Sequence, residues 1–258
     1  MIVFANEKGG TGKSTTAVHT AVALAAAGRQ VAVLDLDTRQ RTTTRYLQNR
    51  EASAQRLGAA LPNPRFMVNE ADNLVGFERG IDALAGDSEF LIIDTPGRDD
   101  PLARISAARA DTLVTPINDS FVDLDLIGEV DPENYTVRRP SFYAELVWDA
   151  RKAKAQSGGE VDWVVLRNRL QHISARNMLR MADALRDLSR RVGFRVIPGL
   201  SERVIYRELF PSGLTLLDID HFESVGMSHV AARQELREMV AALQLPEKGV
   251  TQDMFETV

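Results

Sequence analysis

The residues best suited to chemistry lie near the start of the chain, where glycines alternate with two lysines and neighbouring hydroxyl groups. Residues 8–15 read Lys-Gly-Gly-Thr-Gly-Lys-Ser-Thr. Glycines let a backbone wrap closely around a ligand without Cβ clashes, and N–H groups that converge in such a loop bind phosphate oxygens. Lys13 is spaced to reach the β- and γ-phosphates of a nucleotide, and Ser14 to ligate Mg²⁺. The segment therefore predicts a site for a nucleoside triphosphate and Mg²⁺.

Two predicted elements would hold this loop in place. The apolar run at 2–5 predicts a strand, and the alanine-rich run at 16–27 predicts a helix that ends at Gly28. The positive end of a helix dipole attracts anions, so strand, loop and helix in this order form a phosphate cradle. The residues predicted to line it are Gly9, Gly10, Thr11, Gly12, Lys13, Ser14 and Thr15.

Carboxylates follow two other apolar runs. Asp94 ends the run at 90–94, which has the form of a Walker B strand, whose carboxylate holds Mg²⁺ opposite the loop hydroxyl. The Thr-Pro-Gly turn at 95–97 would lie near the γ-phosphate, where a switch could sense it. Asp35 and Asp37 close another buried run, and their side chains share a face unless the strand has already turned.

Predicted strands alternate with predicted helices along the chain. The predicted strands are 31–37, 65–68, 90–94, 112–116, 161–166 and 194–197, and the predicted helices are 38–55, 74–85, 141–156, 174–192, 202–210 and 229–243, with a polar loop at 131–140. This alternation predicts an α/β fold with a doubly wound, mainly parallel sheet flanked by helices. We expect a single P-loop domain over residues 1–258, with ligands at the carboxyl ends of the strands.

Composition excludes several kinds of site. The chain has no cysteine, which excludes disulfides, thiolate metal sites and a cysteine nucleophile. No apolar run approaches the roughly 18 residues of a membrane span, and the first one is too short for a signal peptide. The end of the chain, 246–258, is acidic and short, which makes a poor membrane anchor. We expect a cytoplasmic protein without a membrane partner.

Positive charge is concentrated between residues 167 and 207. This segment has ten arginines against three acidic residues, a net charge of +7, so the rest of the chain carries −12 of the total of −5. A basic face suggests an anionic partner such as DNA, bound through phosphates without sequence specificity. Pairs with Asp183 and Asp187 on the same helical face are the alternative explanation. The candidate DNA-binding residues are Arg176, Arg180, Arg186, Arg191 and Arg203.

The glycine loop departs from the usual P-loop pattern, because Glu7 stands at the first glycine position and Lys8 adds a second lysine. In this the chain resembles the deviant Walker A ATPases, the family of ParA and MinD. The resemblance implies that Lys8 reaches across an ATP-bound homodimer to the partner's ATP, and that Asp37 lies near the attacking water. Slow, dimer-dependent ATP hydrolysis is then expected, with Lys8, Lys13 and Asp37 as catalytic residues and Ser14, Asp37 and Asp94 around the metal.

By the same resemblance, two predicted strand ends border the adenine. One carries Arg167 and Asn168, whose amide would face the edge of the base, and the other carries Pro198 and Gly199. For Asn168 an ordinary strand-end turn is the alternative.

Five stretches together resemble the MipZ branch of this family, namely residues 6–10, 35–42, 115–123, 162–170 and 203–211. The resemblance implies a regulator of division-site placement whose ATP dimer binds nucleoid DNA and inhibits assembly of the tubulin-like FtsZ. The monomer would be recruited to a ParB-type centromere-binding protein, which suggests a nucleoid-associated and polar distribution.

Three alternatives stay open. A ParA-type chromosome or plasmid partition ATPase would use the same machinery on another cargo, although Thr-Arg-Gln at 38–40 departs from the Pro-Gln usual there. A dinucleotide oxidoreductase is suggested by Gly10, Gly12 and Asp35, but Thr15 replaces its third glycine. A DNA-binding module that does not hydrolyse nucleotide is the third.

Overall fold

A computed structural model of the chain describes residues 1–118, 120–131, 137–168, 175–222 and 224–246. The strands are β1 (Ile2–Phe4), β2 (Val31–Asp35), β3 (Arg65–Val68), β4 (Phe90–Asp94), β5 (Thr112–Asn118), β6 (Gly128–Val130), β7 (Val137–Pro140), β8 (Asp162–Asn168) and β9 (Arg195–Pro198). The helices are α1 (Lys13–Ala26), α2 (Thr42–Leu57), α3 (Leu74–Ala85), α4 (Pro101–Arg109), α5 (Phe121–Leu124), α6 (Phe142–Gln156), α7 (Ala175–Leu188), α8 (Ile205–Leu209) and α9 (Met227–Ala242).

The strands confirm the predicted fold class. A seven-stranded sheet has the order β3-β2-β4-β1-β5-β8-β9, and the strand pairs with a defined register in it are parallel. Strands β6 and β7 form a separate antiparallel ribbon. Helices follow the parallel strands, as a doubly wound α/β fold requires. Among the described residues, no helix is long and apolar enough to cross a lipid bilayer.

The chain divides into two compact units, and the first comprises residues 1–13 and 95–202. Its strands β1, β5 and β8 are buried mainly by aliphatic side chains, with Trp163 completely enclosed, whereas β9 buries only Ile197. The indole Nε1 of Trp163 donates a hydrogen bond to Thr115 Oγ1 at 3.0 Å, and Thr115 Oγ1 also lies 2.9 Å from the Tyr143 hydroxyl. These bonds satisfy polar groups in the core, so the strand ends that carry the candidate site rest on a well-packed base.

The second unit comprises residues 14–94 and the chain from 203 onwards. Every residue of β2 and β4 is buried, as expected for parallel strands covered on both faces. Arg50 of α2 forms a buried, bidentate ion pair with Asp218, with Nη1–Oδ2 and Nη2–Oδ1 distances of 2.6 and 2.9 Å. This pair joins α2 to the segment before α9 and lies entirely inside the unit.

Several predicted boundaries are wrong for identifiable reasons. Helix α2 begins at Thr42 and not at residue 38, because Arg41 adopts a left-handed backbone conformation (φ 51°) that a continuous helix does not allow. The predicted loop 131–140 contains β7, which pairs with β6. The end of the predicted helix 174–192 is within one residue of the structure, where α7 is followed directly by a π-helical turn at Ser189–Gly193.

Candidate nucleotide-binding site

The glycine loop has the backbone of a phosphate cradle. Gly10 and Gly12 have φ angles of 76° and 85°, a region that side chains with a Cβ rarely adopt. A Cβ at Gly9 or Gly10 would meet no atom within 4 Å, so the loop leaves open space on this side. A Cβ at Gly12 would lie 2.1 Å from Asn168 Nδ2, so Gly12 is also required for packing. The residues present therefore fit a bound phosphate group.

Lys13 is buried against this loop. The residue is 7% exposed, and its Nζ lies 3.4 Å from the carbonyl oxygen of Lys8. The turn at 95–97 lies beside it, because a Cβ at Gly97 would be 3.1 Å from Gly9 Cα and 3.3 Å from Lys13 Nζ. A lysine buried beside an open glycine loop has the position from which a P-loop lysine reaches the phosphates of a nucleotide.

Lys8 makes its contacts within its own chain. Its Nζ donates to the carbonyl oxygen of Val122 and lies 3.3 Å from Asp123 Oδ1. The other carboxylate oxygen of Asp123 accepts the backbone N–H of Asn118 at 3.2 Å. The Lys8 and Asp123 side chains are 35% and 10% exposed. For Lys8 to reach another subunit, the ammonium group must first leave these two oxygens.

Asp35 and Asp37 serve different purposes, and they do not share a strand face because β2 ends at Asp35. Asp35 is buried and accepts three hydrogen bonds of 3.0 Å, from the Asp37 N–H and from the N–H and hydroxyl of Thr44. Burial raises the pKa of Asp35, and these hydrogen bonds oppose that rise. Asp35 therefore anchors the start of α2.

Asp37 is half-buried and accepts the N–H groups of Arg39 and Gln40 at 3.2 and 3.0 Å. Asp94 is buried at the end of β4, and its Oδ2 accepts the Thr43 hydroxyl at 2.6 Å. Carboxylate and hydroxyl oxygens are the ligand type that Mg²⁺ takes, so Asp37, Asp94 and Ser14 fit the chemistry of a magnesium site. All three residues belong to the second unit.

The residues predicted to border the adenine lie together in the first unit. Arg167 and Pro198 are register partners on β8 and β9. A Cβ at Gly199 would lie 2.4 Å from the Arg167 carbonyl oxygen, so only glycine fits there. The Asn168 side chain is already engaged: Nδ2 donates to the Thr11 carbonyl at 2.8 Å and Oδ1 accepts the Leu200 N–H at 3.1 Å. Contact between this amide and a base stays a prediction.

Most of the candidate DNA-binding arginines are ion-paired. Arg186 pairs with Asp183 at 2.7 Å on the exposed surface of α7, and Arg191 of the π-helical turn pairs with Asp187 of α7 at 3.1 Å. Pairs with Asp183 and Asp187 are the alternative to DNA binding that the sequence predicts for this basic segment. In the second unit, Arg203 pairs with Glu235 at 2.5 Å. Arg180 is half-buried on α7, and the side chain of Arg176 lies outside the part of the chain that the structure describes.

Sequence reasoning missed two residues that hold the site, Asp123 and Thr43, and one contact of Thr11, which it had placed in the glycine loop. Asp123 pairs with Lys8, the Thr11 carbonyl receives the Asn168 amide, and Thr43 binds Asp94 across 51 positions of sequence. The only available signal was the family resemblance of residues 115–123, which include Asp123, and of residues 35–42, which directly precede Thr43. Pairing at such separations has no periodic pattern to reveal it.

Comparison with protein families and relatives gives a consistent result. A family model described as ATPase MipZ matches residues 1–247. A chromosome partitioning protein ParA of Myxococcus xanthus (strain DK1622) is 24% identical over 162 residues, which are 50% of this chain and 56% of that protein. This chain thus matches little more than half the length of that relative.

Solved structures share the fold over nearly the whole chain. The ATP complex of an McdA variant from Cyanothece has a TM-score of 0.61 at 15% identity and covers 97% of this chain and 98% of that one. The septum site-determining protein MinD with Mg-ADP, from Pyrococcus horikoshii OT3, has a TM-score of 0.56 at 14% identity and covers 94% of each chain. At these identities the likeness shows the fold alone.

Proposed function

The chain belongs to the MipZ family of ATPases, and from this premise we propose that it is a slow, dimerisation-dependent ATP hydrolase that regulates division-site placement. ATP and Mg²⁺ bind at residues 9–15, and ATP holds two copies together. The ATP dimer binds DNA without sequence specificity and inhibits FtsZ assembly. The monomer is recruited by a ParB-type protein, which gives a cytoplasmic, nucleoid-associated and polar distribution.

One observation carries this proposal. Lys13 is buried beside an open loop in which Gly10 and Gly12 have positive φ angles, and Gly97 closes against its ammonium group. Such a site is suited to the phosphates of a nucleotide and to a turn that senses the terminal one. The McdA and MinD structures that share the fold were determined with ATP and with Mg-ADP, which supports the choice of ligand.

The chain's carboxylates suit hydrolysis by positioning. Phosphoryl transfer to water needs an oriented nucleophile and stabilised charge more than covalent chemistry from the protein. Asp37 orients the attacking water, while Ser14 and Asp94 hold Mg²⁺, which neutralises charge on the phosphates when it is bound. Asp37 is already fixed by the Arg39 and Gln40 N–H groups, which limits its rotamers before any nucleotide arrives.

Lys8 completes the site of the other subunit in this proposal. Its positive charge would stabilise the transition state as an arginine finger does, so an isolated monomer hydrolyses ATP slowly. In the structure this ammonium group is held by Val122 and Asp123 of its own chain. Dimerisation therefore exchanges an internal pair for a pair with the partner's ATP.

DNA binding would depend on the nucleotide through avidity. Each copy carries the basic segment between 167 and 207, so a dimer doubles the phosphate contacts available to one subunit. The pairs made by Arg186, Arg191 and Arg203 reduce the free charge of each residue. Weak contacts of this kind become effective only when several act together.

Sedimentation velocity with Mg²⁺ and either ADP or ATP tests the proposal. Wild type should sediment as a dimer with ATP only, and Lys13→Ala as a monomer because it loses nucleotide. Lys8→Ala should bind ATP but stay monomeric, whereas Asp37→Ala should give a long-lived dimer. Lys152→Ala is the matched control, since Lys152 forms an exposed pair with Asp149 on the surface of α6. A Lys8→Ala protein that dimerises like wild type contradicts the trans-acting lysine.

A ParA-type partition ATPase is the second candidate, supported by the likeness to the Myxococcus xanthus protein. Light scattering of FtsZ polymers with the ATP-bound Asp37→Ala dimer separates the two. Loss of polymer supports the division-site regulator, and unchanged polymer supports partition. Release of phosphate in the presence of DNA excludes a module that does not hydrolyse ATP. Membership of an ATPase family argues against the oxidoreductase.

A further inference from the structure

A shallow hollow in the first unit lies beside the start of the glycine loop. It encloses about 290 Å³ of space that opens to solvent, between the end of β1, the turn at 95–100 and helices α4 and α6. None of the described residues that line it belongs to the predicted ATP-binding, metal or DNA-binding sets. We infer that this hollow, called the Glu7 hollow, receives a lysine side chain from a segment of a partner protein and pairs its ammonium group with Glu7. The inference goes beyond the proposed function, because it needs no nucleotide.

Glu7 supplies the charge that the lysine meets. Its carboxylate is half-buried and forms no hydrogen bond or ion pair with the residues that the structure describes. Burial raises the pKa of Glu7, the nearby Asp99 carboxylate raises it further, and Arg104 partly opposes both. A cation bound at Glu7 offsets the neighbouring negative charge and keeps the carboxylate ionised.

Both arginines that the structure places in the lining of the Glu7 hollow are paired with other carboxylates. Arg104 holds Asp99 through two bonds, with Nε–Oδ1 and Nη2–Oδ2 distances of 2.8 and 2.5 Å. Arg98 Nη2 lies 3.2 Å from Asp100 Oδ2. The described lining has three carboxylates and two guanidinium groups, so one negative charge, that of Glu7, remains uncompensated there. Charge complementarity therefore favours a cation over an anion.

The walls of the Glu7 hollow suit the methylene stem of a lysine. Ala103 and Ala107 of α4 line it together with Tyr143 and Leu146 of α6. Lysine buries its methylene groups along apolar surface while its ammonium group stays in a polar place. The compact ammonium group also needs less room than a planar guanidinium, which favours lysine over arginine in a hollow of this size.

An exposed aromatic ring beside the Glu7 hollow favours a protein segment over a free amine. Phe142 at the start of α6 is 63% exposed, and the guanidinium carbon of Arg104 lies 5.6 Å from the centre of its ring. Arg104 also lines the hollow, so Phe142 adjoins the same surface. A free amine would pair with Glu7 alone. A segment with an apolar residue next to its lysine would also cover Phe142, and aromatic side chains are enriched in protein interfaces.

An amide NMR titration of the whole chain without nucleotide tests the proposal. The probe is the tripeptide Leu-Lys-Leu, acetylated at its N-terminus and amidated at its C-terminus. The backbone amide signals of Glu7, Ala103 and Leu146 should shift with millimolar affinity, as expected for one partly exposed ion pair with a small apolar contact. The same peptide with norleucine in place of lysine keeps the stem without the charge, and n-butylamine keeps the charge without the apolar neighbours. Each should bind more weakly than the lysine peptide, by roughly fivefold or more.

A charge-removing variant locates the pair. Glu7→Gln should weaken binding of the lysine peptide by roughly fivefold. Glu160→Gln is the matched control, since Glu160 is an exposed glutamate of the same unit, and it should leave the affinity unchanged.

Three results would overturn the proposal. Equal affinity for the lysine and norleucine peptides would reject the ion pair. Equal affinity for n-butylamine would replace the protein segment by a free amine, and shifts confined to other amides would remove the Glu7 hollow as the site. These comparisons use the wild-type protein, so they decide the question even if Glu7→Gln fails to fold. No nucleotide is present, so the outcome is separate from that of the proposed ATP site.

Discussion

Two pairs of a cation and a carboxylate differ in almost every respect. Arg50 and Asp218 in the second unit are 0% and 5% exposed and joined by two hydrogen bonds. The Lys8 and Asp123 side chains in the first unit are 35% and 10% exposed and joined by one contact of 3.3 Å. A buried bidentate pair is costly to break, whereas a partly exposed single contact contributes little. The first pair therefore suits a fixed part of the structure, and the second suits the exchange of partners that the proposed mechanism assigns to Lys8.

The largest effect is expected from breaking the buried pair. Asp218→Ala leaves the Arg50 guanidinium buried without its carboxylate and also removes the acceptor for the Thr215 N–H and hydroxyl. The free energy of unfolding should fall by about 3–5 kcal/mol. Urea denaturation followed by circular dichroism measures this decrease. A decrease below about 1 kcal/mol, typical of exposed pairs, would show that the comparison is wrong.

Acid should weaken the same pair. Burial alone would raise the pKa of Asp218, but the hydrogen bonds and charge of Arg50 outweigh it and lower that pKa below its ordinary value of 3.8. The group thus contributes stability that is complete above pH 3.8 and is lost as the pH falls through the folded-state pKa. The difference in urea midpoint between wild type and Asp218→Asn should shrink over that acidic range. A constant difference would contradict the assignment.

Releasing Lys8 should have a smaller effect, and of a different kind. Asp123→Asn removes the charge that holds the ammonium group, so less free energy is needed to present Lys8 to a second subunit. The free energy of unfolding should change by less than about 1 kcal/mol. The protein concentration at which the ATP dimer forms should fall by roughly fivefold for each Lys8 released, one in each subunit. Sedimentation across a concentration series measures this. Asp125→Asn, an exposed neighbour, is the control; weaker dimerisation of Asp123→Asn alone would mean that Asp123 supports the dimer.

The smallest change in stability is expected on the basic helix. Arg180→Ala on α7 should alter the free energy of unfolding by less than about 0.5 kcal/mol. It should weaken binding by a similar factor for DNA of any sequence. The slope of log affinity against log salt concentration should become shallower by about one for each phosphate that Arg180 binds. A gel-shift series in salt, with the ATP dimer and with Arg56→Ala as control, measures both. Full DNA affinity would remove Arg180 from the interface, while dimerisation should stay unchanged.

Local patterns were enough to predict the fold and the glycine loop. The predicted bounds of β3, α3 and β4 agree with the structure, because periodicity and turn residues act over a few positions. Strand β7 escaped prediction, since its sequence Val-Arg-Arg-Pro lacks a strand pattern and it forms by pairing with β6. The left-handed Arg41 was equally hidden, because nothing in an arginine favours that conformation.

The partners within the site could not be predicted for a similar reason. Lys8 and Asp123 are 115 positions apart, and Asn168 and Thr11 are 157 positions apart. Their pairing depends on the order of β1, β5 and β8, which no local pattern encodes. Residue type suggested that Asn168 had some special task, but only its neighbours show which atoms it binds.

The short connection between β2 and α2 has a practical consequence. Asp35 accepts hydrogen bonds from Thr44 at the start of α2, and Asp37 accepts hydrogen bonds from Arg39 and Gln40 in the turn. Both ends of the connection are therefore stabilised by hydrogen bonds within residues 35–44. Side-chain hydrogen bonds also reach outside this segment, from Thr38 to Asp72 and from Thr43 to Asp94. Grafting the ten positions 35–44, together with aspartates at the positions of Asp72 and Asp94, into a related nucleotide switch should transfer the geometry of the Asp37 carboxylate.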